Sequence, residues 1–145
     1  MATGDVVVFE EAKAKMLDGD WAATDDFYLA IIDNGTTPTA ATATPVIGDF
    51  TQVGSAGTYV DGGINLGALS VLVTEASGTM TFDSATNPTW AQDGSNDADA
   101  WWGILYNNTD AGKDALAFVE LGGPVDMSAG ALTVTWNGNG IFTII

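Results

Sequence analysis

The chain has 145 residues, of which 19 are Asp or Glu and 3 are Lys, with no Arg, His or Cys, for a formal charge of -16. These absences exclude a Ser-His-Asp triad, an imidazole base, a thiolate nucleophile, a disulfide and a His or Cys cage for zinc. The charge, and the lack of any guanidinium to clamp phosphate, argue against nucleic acid as a partner.

Hydrophobic residues make up 46% of the chain, and this sets it apart from acidic disordered sequences, in which charge accompanies scarce apolar residues. The length fits one domain that can bury a core without staples. No apolar run approaches the ~20 residues of a membrane-spanning helix, and the first residues do not read as a secretory leader. A soluble protein with no membrane partner is the expectation.

Residues 1–20 read as an arm and helix that pack on a β domain formed by residues 21–145. Between Val8 and Leu17 the apolar residues Val8, Phe9, Ala12, Met16 and Leu17 recur near helical spacing. Glu10 and Glu11 sit where the helix dipole favours anions, and Asp18-Gly19 supplies a stop. The helix should cover one end of a sheet. The β-branched run Val6, Val7, Val8 can instead extend as an arm.

After Trp21 the chain becomes short β-type runs punctuated by Gly, Asn, Asp, Pro and Thr, the pattern of an all-β sandwich. Phe27 to Ile32 suits a strand buried on both faces and ends at the turn Asp33-Asn34-Gly35. Thr36 to Pro45 has too little apolar bulk for core and reads as a surface loop. Gly54 to Gly67, around Tyr59 and Gly62-Gly63, implies tight turns where a side chain would clash. Leu69 to Thr74 and Thr79 to Phe82 form one expected hairpin, and Trp101 to Tyr106 with Ala115 to Leu121 a second, central one. Leu132, Val134 and Trp136 alternate with Thr133 and Thr135. Asn137-Gly138-Asn139-Gly140 then turns the chain into Ile141 to Ile145, an apolar run expected to be core or interface. The fold class is therefore mainly β, a β-sandwich with about eight strands and one short N-terminal helix, and a jelly roll is one topology open to it.

Candidate sites are few. Asp93, Ser95, Asp97 and Asp99 place oxygen ligands along one loop, as calcium prefers, but Ala98 stands where an EF-hand needs its glycine and Ile104 where it needs its glutamate. A looser calcium site on Asp93, Asp97 and Asp99 is outweighed by a solvated acidic turn, and no metal or cofactor is expected. A glycosidase needs only two carboxylates, yet Glu120 alone sits in an apolar strand and no pair is nominated; the reading is not an enzyme. Adjacent Trp101 and Trp102 must face opposite sides of a strand, so one of them needs a burial partner outside the core of the other. With Val6, Val7, Val8, Ile144 and Ile145, they are the interface candidates.

Several segments resemble small virion proteins of tailed bacteriophages: the helix ending in Asp18-Gly19, the strand Phe27-Tyr-Leu-Ala-Ile-Ile-Asp33, and the turn Gly57-Thr-Tyr-Val-Asp-Gly-Gly63. The pieces Thr81-Phe-Asp83 and Thr89-Trp90, and the closing Thr133-Val-Thr-Trp-Asn-Gly138 with Gly140-Ile-Phe142, continue the likeness. This chain departs from that pattern in lacking Arg and in its acidity. The resemblance implies a capsid decoration or cement protein in the virion, made in the host cytoplasm and bound to the major capsid protein as a homo-oligomer such as a trimer. A tail or fibre-associated protein is the alternative within virions. A carbohydrate-binding β-sandwich that stacks sugars on Trp101 or Trp102 is the alternative outside them.

Overall fold

The computed structural model describes residues 1–145. In chain order the elements are β1 (Val6–Val8), α1 (Glu10–Asp18), β2 (Asp26–Ile32), a 3-10 turn (Ile47–Asp49), β3 (Ile64–Ala68), α2 (Leu69–Leu72) and β4 (Val73–Ala76). They continue with β5 (Thr79–Phe82), β6 (Thr89–Trp90), β7 (Ala100–Asn107), β8 (Ala115–Val125), β9 (Leu132–Thr133) and β10 (Phe142–Ile144). All strand pairs are antiparallel, and they build sheets with the orders β1-β8-β7-β2-β3, β10-β5-β4 and β6-β9. The fold is mainly β, as the run lengths imply, and these strand orders do not establish jelly-roll connectivity.

The centre of the large sheet is β7, whose residues Trp102 to Asn107 are all buried. Its register with β2 places Phe27, Leu29 and Ile31 on one face and Tyr28, Ala30 and Ile32 on the other. Both faces are covered, which explains the near-continuous apolar runs of β2, β7 and β8. On the first face Phe27 meets Phe82 of the small sheet edge-on at 5.8 Å, and Phe82 stacks on Phe142 at 5.0 Å. On the second, Phe118 sits between Phe9 at 5.1 Å and Trp102 at 6.1 Å.

Val6, Val7 and Val8 extend because their branched side chains favour a pleated surface. They pair with Val119, Phe118 and Ala117 of β8 as an edge strand. Phe9, in extended conformation, then starts the helix, so α1 begins two residues later than its apolar spacing suggests. Gly19, at φ 76°, ends it by donating its N–H to the Lys15 carbonyl, a left-handed cap open to glycine. Lys15 also pairs with Asp114, next to the start of β8, so α1 closes that end of the sheet as expected. Phe9 and Ala12 belong to the same core as β2, β7 and β8, so the start of α1 packs directly on the sandwich.

Leu69 to Leu72 is a single helical turn instead of the first half of a strand. Its apolar ends are three residues apart, so Leu72 reaches the core while the chain crosses from the large sheet to the small one. Val73 to Ala76 then pairs with Thr79 to Phe82, and Ser77 and Gly78 at φ 52° and 81° make the turn. Of the alternating run Leu132 to Trp136, only Leu132 and Thr133 form ladder pairs, with Trp90 and Thr89. Phe142 to Ile144 joins the small sheet against Phe82 to Met80. The loop at 36–45 is irregular but anchored, since Pro38 and Pro45 are buried and the Pro45 carbonyl accepts from the Ala115 N–H.

Candidate functional site

The acidic loop after β6 is a structural joint. Asp93 accepts from the Ser95 N–H at 2.9 Å, Asp97 from the Asp99 N–H at 3.0 Å, and Asp99 from the Trp101 indole at 2.6 Å. Each carboxylate is spent on a local turn, and no group of three or more Asp or Glu is placed to hold a metal ion. What anchors the loop is Asn96, buried to 6% exposure. Its carbonyl accepts the Tyr59 N–H at 3.1 Å, and its amide donates to Thr58 Oγ1 at 3.0 Å and to the carbonyls of Ala91 and Met127 at 3.1 and 3.3 Å. A search for charge passes over this residue, although an amide inside a run of carboxylates is the signal that a site needs donors and acceptors together.

Tyr59 carries the network inward. Its hydroxyl receives the Ile31 N–H at 3.0 Å and donates toward Gln52 Oε1 at 2.8 Å, while Gln52 also accepts the Gly62 N–H. Burial pushes the Tyr59 phenol up, and it pushes Tyr106 up to about 12. Gly63, at φ 75°, lies against the Leu29 carbonyl where a Cβ would collide. The tight turn expected at Gly62-Gly63 is thus the seat of a close backbone approach. These groups fix the turn onto β2; none converges on a cleft with a second titratable partner.

The interface candidates divide. Trp102 is only 8% exposed, packs on Phe118 and donates its indole N–H to Asn34 Oδ1 at 3.2 Å, so it belongs to the chain's own core and offers no face to a partner. Trp101 is half-buried with its indole tied to Asp99. Val6, Val7, Val8 and Ile144 come together, from opposite ends of the sequence, on one groove of about 1090 Å³. Of its 19 lining residues 15 are hydrophobic. Ile145, fully exposed, follows Ile144 and is not part of the lining.

Comparison with family models, curated proteins and solved structures returns no match.

The groove exists because the two sheets differ in width and length. The face of the small sheet turned toward the large one carries Val73, Phe82 and Phe142 at its base and Glu75, Met80 and Ile144 toward its tip, as the register dictates. Phe82 at the base is 1% exposed, whereas Ile144 at the tip is 45% exposed. Across the groove from that tip stand β1 and Met16 and Leu17 of α1. Both bordering strands, β1 and β10, are the outermost in their sheets. Trp21 lines the same groove, and its Nε1 is the one buried side-chain nitrogen or oxygen in the chain without a hydrogen-bond partner. No helix is long and apolar enough to cross a membrane.

Proposed function

We propose that the chain is a structural protein of a tailed-bacteriophage virion, a capsid decoration or cement protein that binds the major capsid protein and reinforces the shell without catalysis. The observation that carries this reading is the open side of the sandwich, where two unpaired sheet edges and an apolar groove interrupt an acidic body. A protein that clips onto a shell needs a rigid frame, a charged outer surface that stays in water, and one adhesive side. The segments that resemble phage virion proteins support the same reading. A glycan platform built on Trp101 and Trp102 comes second, because Trp102 is inside the core.

The test is to mix the purified protein with undecorated capsids and sediment the particles. Saturable co-sedimentation, with shells that rupture at a higher temperature when loaded, is the expected result. Particles that pellet without the protein at micromolar concentration would remove the reading. Loaded shells also give the oligomer order from the symmetry of the added density, a trimer being the expected form.

A further inference from the structure

The groove is wider than a site for a small ligand, since such pockets run to roughly 1000 Å³ at the upper end and enclose what they bind. It is instead bounded by main chain that lacks partners. Phe9 donates its N–H to the Leu116 carbonyl and Asp5 accepts from Glu120, so every second residue of this stretch faces β8. By that alternation Val6 and Val8 turn their N–H and C=O groups outward, away from the sheet. Their side chains share the face of Ala117 and Val119, which lies over the groove. An extended chain laid along β1 would therefore find main-chain donors and acceptors on one side and apolar contacts beneath.

The charges at the rim say what kind of chain. Glu75 and Lys13 line the groove, and the exposed Asp5, Asp18 and Asp20 each stand next in sequence to a lining residue, Val6, Leu17 and Trp21, while Lys15 is occupied by Asp114. A second copy, itself at -16, is repelled from such a rim. We propose that the groove takes an extended apolar segment flanked by lysine or arginine, donated by a different protein, which adds to the free edge of β1 and buries alternate side chains against Met16, Trp21 and Met80. This deepens the virion reading and rests on it only for naming the donor as a capsid subunit.

The experiment uses the full chain and a synthetic peptide in which valine and threonine alternate over seven positions between paired lysines. Calorimetric titration should show saturable one-to-one binding, with a shift of the Trp21 indole N–H resonance in NMR spectra. The same peptide with glutamates for lysines should bind at least tenfold more weakly at low salt. Val6→Pro removes an outward-facing N–H at an edge position where proline is tolerated, and it should keep the melting temperature while losing tenfold or more in affinity. Ile144→Lys, at an exposed site, should lose affinity to a similar degree and guards against misfolding of the first variant. Absence of saturable binding, equal binding of the glutamate peptide, or a self-associated protein that Val6→Pro dissociates would overturn the proposal. Capsid co-sedimentation is scored separately: a peptide that binds while capsids are ignored removes the virion reading alone, and the reverse removes the groove alone.

Discussion

Asn96→Asp is the sharpest probe of the acidic loop, because it replaces one heavy atom, Nδ2 by oxygen, and leaves the shape. The amide orientation is fixed by its neighbours: the Tyr59 N–H can only donate, and the Ala91 and Met127 carbonyls can only accept. A carboxylate in that position keeps the bond to Tyr59 but strips the Met127 carbonyl of its donor, leaves the Ala91 carbonyl with the Thr58 hydroxyl alone, and points negative charge at both. The one buried acceptor left unpaired costs roughly 1–3 kcal/mol, about 2 kcal/mol before the charge is counted. That is a sizeable share of the roughly 5–15 kcal/mol that holds a domain together, and in a chain of this size it lowers the melting temperature by about 5 °C or more. Because the charged form is the disfavoured one, the folded state binds the proton more tightly than the unfolded state. The variant should therefore regain part of its stability as pH falls from neutral toward the carboxylate range. The assay is urea unfolding followed by tryptophan fluorescence at several pH values, with and without calcium. If the loop were a calcium site, an added carboxylate would strengthen it, and calcium would restore the variant. Such rescue, or a loss below about 1 kcal/mol in urea unfolding, would refute the reasoning.

Phe82→Ala should cost about 3–5 kcal/mol in urea unfolding, since Phe82 is fully buried and joins Phe27 to Phe142 across the sheets. Amide exchange should quicken in β4, β5 and β10 more than in β7 and β8, because the small sheet hangs on that side chain. At high pH the two raised phenols set the behaviour: Tyr59 and Tyr106 are held protonated by burial, so the folded state keeps protons that the unfolded state releases above about 10. Stability should therefore fall as pH rises above about 10, and a spectrophotometric titration should find Tyr106 ionising near 12.

What the sequence reveals depends on how local the cause is. β2, β7 and β8 are readable because burial on both faces leaves continuous apolar runs such as Phe27 to Ile32. The cap at Gly19 and the turn at Gly78 are readable because positive φ demands particular residues. Leu69 to Leu72 misleads because Leu-Ser-Val-Leu fits both a period of two and one helical turn. Only the need to cross between sheets decides, and that need is set elsewhere in the chain. The pairings of Val7 with Phe118 and of Phe142 with Phe82 are non-local, so residue pattern alone does not fix them. The candidate site follows the same rule. Val6 to Val8 and Ile144 stand out one by one as apolar residues in need of cover, while the groove they share is a property of two sheets of unequal extent. Trp102 stands out equally, and its cover turns out to be Asn34 and Phe118 of its own chain.

The distribution of charge around the groove leads to one more expectation. Most of the 19 acidic residues lie in turns and on the outer surface, and the groove lining itself carries only Lys13 and Glu75. Attraction by the rim acts across several ångströms of water, whereas the contact formed at the end is apolar and hydrogen-bonded. The two should separate in kinetics. Raising salt from about 0.1 to 1 M shortens the screening length from about 10 to 3 Å, so association of the lysine-flanked peptide should slow by tenfold or more. Dissociation, governed by burial against Met80 and Trp21, should change little over the same range. Stopped-flow tryptophan fluorescence reads both rates. A dissociation rate that climbs with salt as steeply as association falls would mean that charge pairs hold the peptide in place, and the apolar groove would then not be its seat.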